Sequence, residues 1–275
     1  MPIQPTFEQL VISGGAAPVP AHLYRGAATR PAPLVLHLPA GTFTDLPAGR
    51  PVASLLAEAG AVVISADYPT GASHPFPDAV EAMYSLLQHL HAHRTQWAAR
   101  ASKLFVAGEE AGGNLAAALA MMARDRLGPP IAGQILLSPM LDASMATCSF
   151  RDAEAGPVGC KWADGWAVYL GCPDAAAHPY AAPSAGSRLH NLPPALVITT
   201  PDDPMRDESL AYAGRLRQAG VAIHARAITA HDWPDALAGP GPAPEWADVV
   251  RKHLVDFFAA VMPPVPARLT DRSAT

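Results

Sequence analysis

The chain has 275 residues, half of them apolar and 16% charged, with a formal net charge of −5. That length suits one large domain with a substantial core better than two ordinary ones. The acidic balance, without any run of Lys or Arg, excludes the electrostatic footprint expected of a nucleic-acid or anionic-membrane binder.

Taken in chain order, the stretches EQLVIS (8 to 13) and PAHLYRG (20 to 26) flank a Gly-Gly-Ala-Ala-Pro turn and predict an antiparallel hairpin. Short, fully apolar runs then recur at 33 to 38, 61 to 68, 103 to 108, 133 to 139, 195 to 200 and 221 to 228. Runs without polar alternation predict strands buried on both faces. Helical patterns lie between most of them, at about 50 to 59, 77 to 94, 112 to 126, 205 to 219 and 244 to 261, which is the alternation a crossover-connected parallel sheet requires. The expected fold is α/β: one mostly parallel, doubly wound sheet with an antiparallel N-terminal edge, in a single domain spanning 1 to 262.

The exception is 142 to 192, an insertion rich in Ala, Pro and Gly. Its Trp162, Trp166 and Tyr169 follow a helical spacing that reads first as core, while a segment of that length between strands can also cover a site as a lid. Residues 263 to 275 read as a disordered tail. The N-terminal MPIQPTFEQL has neither a basic nor an apolar targeting segment, and the most apolar helix, Leu115 to Ala123, is too short to span a bilayer, so a cytoplasmic location is expected. Cys148, Cys160 and Cys172 are odd in number and fit no zinc spacing, which predicts free thiols. His89, His91 and His93 cannot all share one helix face, so no metal site is expected there. No motif calls for a cofactor.

In open α/β sheets the chemistry gathers at the carboxyl ends of the strands. The polar residues at those places are His37, Asp67, Glu109, Glu110, Asp203 and His231. In KLFVAGEEAGGNLAAALAMMARDR (103 to 126) Glu110 stands at a strand-to-helix turn, with Gly108 and Gly112 expected to make room for a side chain that a ligand approaches. The order of turn residue, then Asp203, then His231 is that of an α/β-hydrolase triad.

On these residues the chain resembles the hormone-sensitive-lipase-like branch of the α/β-hydrolases, a family of carboxylesterases and lipases, over nearly its whole length. SADYPTGASHPFPDAVEA (65 to 82) is similar to that family's DYRLAPEHPFPAA stretch, PPIAGQILLSPMLDAS (129 to 144) to the following strand and loop, and LPPALVITTPDDPMRDESLAYAGRLRQAGV to the segment carrying the catalytic acid, at Asp203. HDW (231 to 233) stands where the family has its catalytic histidine. The resemblance also implies that, starting directly at the hairpin without the helices that cap many members, this chain has a more open pocket.

The departures are as specific as the matches. The family's elbow reads G-D-S-A-G-G-N with serine as nucleophile, and this chain reads GEEAGGN, which puts Glu110 in the serine's place. The family's H-G-G-G run supplies backbone N–H groups to the oxyanion. The matching stretch here is His37, Leu38, Pro39, Ala40 and Gly41, in which Pro39 has no N–H to give, although Ala111 could still offer one from the elbow. A carboxylate facing His231 and Asp203 would share a proton with that histidine.

Two kinds of function follow from the resemblance. One is an enzyme acting on a small apolar ester-like or carbonyl-containing molecule by non-serine chemistry. In it Glu110 is either a nucleophile toward an sp³ carbon, as aspartate is in epoxide hydrolase and haloalkane dehalogenase relatives of this fold, or a general acid or base, beside His231 and Asp203. The other is a catalytically inactive family member that binds a small ligand. Neither calls for nucleic acid or membrane; a homodimer is compatible with both.

Overall fold

The computed structural model describes residues 5–13, 17–27, 31–153, 160–229 and 244–263. The tail from 264 onward, expected to be disordered, and part of the hairpin turn lie outside these residues. The described strands are β1 (Thr6–Ile12), β2 (Val19–Arg25), β3 (Leu34–Leu38), β4 (Val62–Ala66), β5 (Leu104–Glu109), β6 (Gly133–Pro139), β7 (Ala195–Thr199) and β8 (Ile223–Ala227). They form one sheet in the order β1-β2-β4-β3-β5-β6-β7-β8. β1 pairs antiparallel with β2, and β2 with β4; every other pairing is parallel.

The described helices are α1 (Pro51–Glu58), α2 (Asp78–Ala92), α3 (Arg94–Trp97), α4 (Glu110–Asp125), α5 (Cys148–Asp152), α6 (Lys161–Leu170), α7 (Arg206–Gln218) and α8 (Glu245–Val261). Alternate residues of each central strand enter two separate cores. Leu34, Leu36, Val106, Leu136 and Val197 pack with buried residues of α2, α4 and α7, whereas Val35, Phe105, Ile135, Leu137 and Ile198 pack with those of α1 and α8. Two buried faces explain why the strands read as unbroken apolar runs.

β3 sits between β4 and β5; the connection leaving β3 runs to β4 on one side and the connection leaving β5 runs to β6 on the other, so the carboxyl ends of β3 and β5 form the topological switch point at which α/β folds place their sites. The helix that follows β5 meets that point at unusually short range. A Cβ on Gly112 would lie 2.1 Å from the Leu38 carbonyl oxygen, and one on Gly108 would lie 2.2 Å from the carbonyl oxygen of Gly112. The sequence reading of these glycines needs correction: the space they leave is filled by backbone, which lets the first turn of α4 rest directly on the end of β3. The helix also begins at Glu110 rather than at 112, because the turn tip is itself its first residue.

Within 142 to 192 the structure places α5, α6 and two short 3₁₀ turns. Tyr169 stacks on Phe43 with ring centroids 3.9 Å apart, Trp166 tilts against the same ring at 5.6 Å, and Gly165 abuts the Thr42 carbonyl. Trp166 and Tyr169 are buried, in keeping with the core reading of that aromatic spacing, and they fasten α6 to the loop after β3. The three cysteines are free thiols. No helix among the described residues is long and apolar enough to cross a membrane.

The glycine packing is directly testable. Gly112→Ala is expected to destabilise the protein by on the order of 3 kcal/mol or more, because the methyl group meets rigid backbone rather than a side chain that can move. In α7, Gly214 has nothing within 4 Å of its Cβ position. Gly214→Ala should stabilise by about 0.5–1 kcal/mol through helix propensity. Denaturant midpoints of the two variants measure both effects, and equal shifts of the same sign would contradict the packing.

Candidate active site

The turn after β5 is held in a conformation that its sequence disfavours. Glu110 has φ of +46°, in the left-handed region where a non-glycine residue is strained by on the order of 1 kcal/mol. Two backbone contacts hold it there: Met140 N–H donates to the Glu110 carbonyl at 2.9 Å, and the following residue, Ala111, donates its N–H to the Gly41 carbonyl at 3.2 Å. The result turns the Glu110 side chain away from the sheet, at the N-terminus of a sixteen-residue helix whose dipole favours negative charge there.

Among the described residues, a backbone N–H and a lysine approach the Glu110 carboxylate. Gly41 N–H donates to Oε2 at 3.2 Å, and Lys161 Nζ lies 3.9 Å from Oε1. The Glu110 side chain is 17% exposed, so it is neither a free surface group nor sealed off. The loop after β3 therefore still has one donor aimed at the elbow. Pro39 supplies none, but its carbonyl accepts the Tyr68 hydroxyl at 3.1 Å, which fixes the loop's curvature from below. Burial, followed by the negative charges of Glu110 and Glu109, pushes the Tyr68 hydroxyl well above its ordinary pKa, so it stays a proton donor.

The adjacent carboxylate has the opposite fate. Glu109, the last residue of β5, is buried; its Oε2 meets His37 Nε2 at 2.7 Å, while His37 Nδ1 meets Ser65 Oγ at 2.9 Å. This chain of contacts joins the carboxyl ends of β5, β3 and β4 beneath the elbow. His37, fully buried, is a brace, and Leu38 is equally buried, whereas Ala40 and Gly41 are partly exposed. Asp67, just past β4, pairs with Arg50 at 2.7 Å.

Asp203, just past β7, is buried and accepts from the Thr199 hydroxyl at 2.5 Å and the Met205 N–H at 2.8 Å. It is thereby locked onto the strand end as a fixed acceptor. His231 lies outside the described residues. No cluster of three or more metal-binding side chains occurs among the described residues.

Lys161 and Glu208 escaped the sequence reading, as did the contact that Gly41, named there within the oxyanion stretch, makes with Glu110. Lys161 begins α6, and its one signal was a cation in an insertion almost free of them. The donor role of Gly41 could not be read, since it depends on the loop's path. Glu208 lies on the buried face of α7, three residues after Met205 and four before Tyr212, both buried; that helical spacing was the readable clue. Its Oε1 accepts the Leu141 N–H at 2.8 Å. Burial, reinforced by the charges of Asp142 and Asp203, raises its pKa to about 8 against the counter-effect of that hydrogen bond.

A family model described as alpha/beta hydrolase fold matches residues 37–233. Esterase LipI of Mycobacterium tuberculosis is 33% identical over 239 residues, covering 81% of this chain and 73% of that protein. Carboxylesterase NlhH of the same species is 33% identical over 170 residues, 60% of this chain, which spans only 53% of its length. The crystal structure of esterase LipW from Mycobacterium marinum superposes with a TM-score of 0.81 at 32% identity, covering 94% of this chain and 83% of that one.

The raised Glu208 carboxyl has a consequence for stability. Because its folded-state pKa lies above the unfolded value, its neutral form favours folding, and that advantage is lost as pH rises from about 4.5 to about 8. The unfolding free energy from urea titrations should fall across that window by on the order of a few kcal/mol, and Glu208→Gln should flatten the fall. An unchanged pH profile in Glu208→Gln would show that the carboxyl titrates normally.

Proposed function

The chain belongs to the alpha/beta hydrolase fold family, in its hormone-sensitive-lipase-like carboxylesterase branch, and from that premise we propose an esterase-type enzyme in which Glu110 replaces serine acyl transfer with carboxylate chemistry. The substrate class is a small apolar molecule bearing an ester or carbonyl group and an activated sp³ carbon. The observation that carries this reading is the 3.2 Å contact between Gly41 N–H and Glu110 Oε2. Held at Oε2, the carboxylate has its orientation fixed before a substrate arrives.

In the proposed reaction Glu110 Oε1 attacks the sp³ carbon, and the leaving group departs with the bonding electron pair. His231, oriented by Asp203, then takes a proton from a water molecule that adds to the Glu110 carboxyl carbon. The oxyanion of that intermediate forms on Oε2, against the Gly41 N–H already in place. On its collapse the departing alkoxide takes the proton held by His231 and leaves as an alcohol, and loss of a proton to solvent restores the carboxylate. Lys161 lowers the electrostatic cost of keeping Glu110 ionised, and α6, which carries it, walls the pocket as a lid within a single domain. General acid–base catalysis by the same carboxylate uses the same contacts but forms no covalent bond. We place the enzyme in the cytoplasm, as a monomer or homodimer acting without cofactor, metal, nucleic acid or membrane.

One observation favours a second reading, that of a ligand-binding member without turnover. Ala111 N–H, the elbow donor that would face a substrate oxygen, is engaged by the Gly41 carbonyl at 3.2 Å. Multiple turnovers in ¹⁸O-water separate the readings, with small epoxides and α-haloesters as probes. The covalent route places the heavy oxygen in the Glu110 carboxylate, detected by mass spectrometry of the peptide; the acid–base route gives turnover without label, and the ligand-binding reading gives binding without turnover. Glu110→Gln should abolish both label and turnover, and turnover unaffected by that change would sink the proposal.

A further expectation concerns ordinary ester chemistry. Glu110→Ser supplies a hydroxyl within the same turn, yet Pro39 still offers no N–H, and the loss of one oxyanion donor costs about a hundred- to a thousand-fold in rate. Hydrolysis of p-nitrophenyl acetate by Glu110→Ser should stay far below the enzyme median of about 10 per second. Adding glycine at positions 38, 39 and 40 should raise it by more than the product of the separate effects, since hydroxyl and donors act on one intermediate. A competent single Glu110→Ser variant would mean that Gly41 and Ala111 alone suffice as donors.

A further inference from the structure

At the opposite end of the sheet from the elbow, a cavity of about 700 Å³ opens across the amino ends of β5, β6, β7 and β8. Its polar lining is one-sided. His91 from α2, Arg94 from α3, Arg100 and Lys103 from the segment leading into β5, and His224 from β8 all border it, and among the described residues no Asp or Glu does. This concentration of cations occurs in a chain whose formal net charge is −5. It therefore does not reflect a generally basic surface.

The cations are arranged rather than scattered. Arg94 Nε donates to the Arg100 carbonyl at 3.1 Å, and its Nη1 faces His91 Nδ1 at 3.3 Å, which fixes the guanidinium plane at the rim. Burial, with Arg94 beside it, lowers the His91 pKa, so that ring serves as a neutral partner. Lys103 Nζ donates to the Val261 carbonyl at 3.0 Å and so offsets the negative end of α8. Ser102, also in the lining, has a buried hydroxyl without a hydrogen-bond partner among the described residues.

We propose that this cleft is an anion-binding site, separate from the elbow, for a phosphorylated small molecule of nucleotide size. Arg94, Arg100 and Lys103 carry three permanent positive charges, and a monocarboxylate would answer only one of them. Phosphate groups bring two or more charges and accept bidentate hydrogen bonds from the planar guanidinium fork. The apolar wall formed by Leu104, Ile131, Pro194 and Val261 suits the non-phosphorylated body of such a ligand, and the volume falls in the range typical of small-molecule sites.

Calorimetric titration of the intact protein with ADP, inorganic pyrophosphate, adenosine and octanoate tests the site and its chemistry. ADP should bind near one per chain with Kd below about 1 mM, more weakly as salt is raised, and pyrophosphate should compete with it. Adenosine and octanoate should not compete. The double variant Arg94→Gln with Arg100→Gln should weaken ADP by more than about tenfold at unchanged melting temperature. Arg100→Glu, altering a single exposed side chain, repeats the test should the double variant fold poorly. Glu110→Gln should leave ADP binding as it is. Absence of binding by both ADP and pyrophosphate, octanoate binding more tightly than ADP, or ADP binding that survives the arginine changes but is lost in Glu110→Gln would each overturn the proposal.

Discussion

The contact on which the site depends is backbone against backbone: the first turn of α4 resting on the carboxyl end of β3, with Gly112 over the Leu38 carbonyl and Gly108 under the carbonyl of Gly112. A side chain at either glycine would push the helix away by the width of a methyl group. With the helix pressed this close, only a sharp turn can join it to β5, and that turn forces Glu110 to a positive φ. The same contact brings the loop after β3 close enough for Gly41 to reach the elbow from both sides, donating to the Glu110 carboxylate and accepting from Ala111. The strain at one residue is thus sustained by packing distributed over three elements.

Two glutamates adjacent in sequence show how this constraint sorts chemistry. Glu109 is the last residue of β5, so its side chain points into the sheet layer, where burial would be costly without a partner. His37, one strand over, supplies that partner, and Ser65 completes the chain from β4. Glu110, one residue later and past the turn, emerges on the other side. Its partners include a backbone N–H and a lysine from α6. One carboxylate stiffens the platform and the other stands on it.

The strands, the helices and the edge hairpin were legible because a sheet buried on both faces leaves a plain trace, short apolar runs separated by amphipathic ones. The elbow's location was legible from its glycines, but their purpose was not, since it depends on a carbonyl some seventy residues away in sequence. The His37–Glu109 and Gly41–Glu110 contacts were hidden for the same reason: both span about as many residues and require the loop's actual path. Lys161 was hidden more deeply, because it reaches the site only once Phe43, Trp166 and Tyr169 have docked α6. Patterns local in sequence reveal elements; contacts between loops must be seen.

The distribution of charge gives the proposed chemistry a physical rationale. Glu109, Glu110, Asp203 and Glu208 all lie toward the carboxyl end of the sheet; burial raises the pKa values of Tyr68 and Glu208 first, and nearby negative charges, Glu110 and Glu109 for Tyr68, Asp142 and Asp203 for Glu208, raise them further. Serine acyl transfer would build a new oxyanion in that field, and the two N–H groups nearest the elbow are already engaged within the chain. Like charges at such range oppose it. Displacement by Glu110 runs the other way: the negative charge is present at the start, is dispersed onto the leaving group in the transition state, and returns only at Oε2, where Gly41 already donates. Such a concentration of carboxylates disfavours creating an anion and favours using one, and in the proposed chemistry the glutamate at the elbow is that anion.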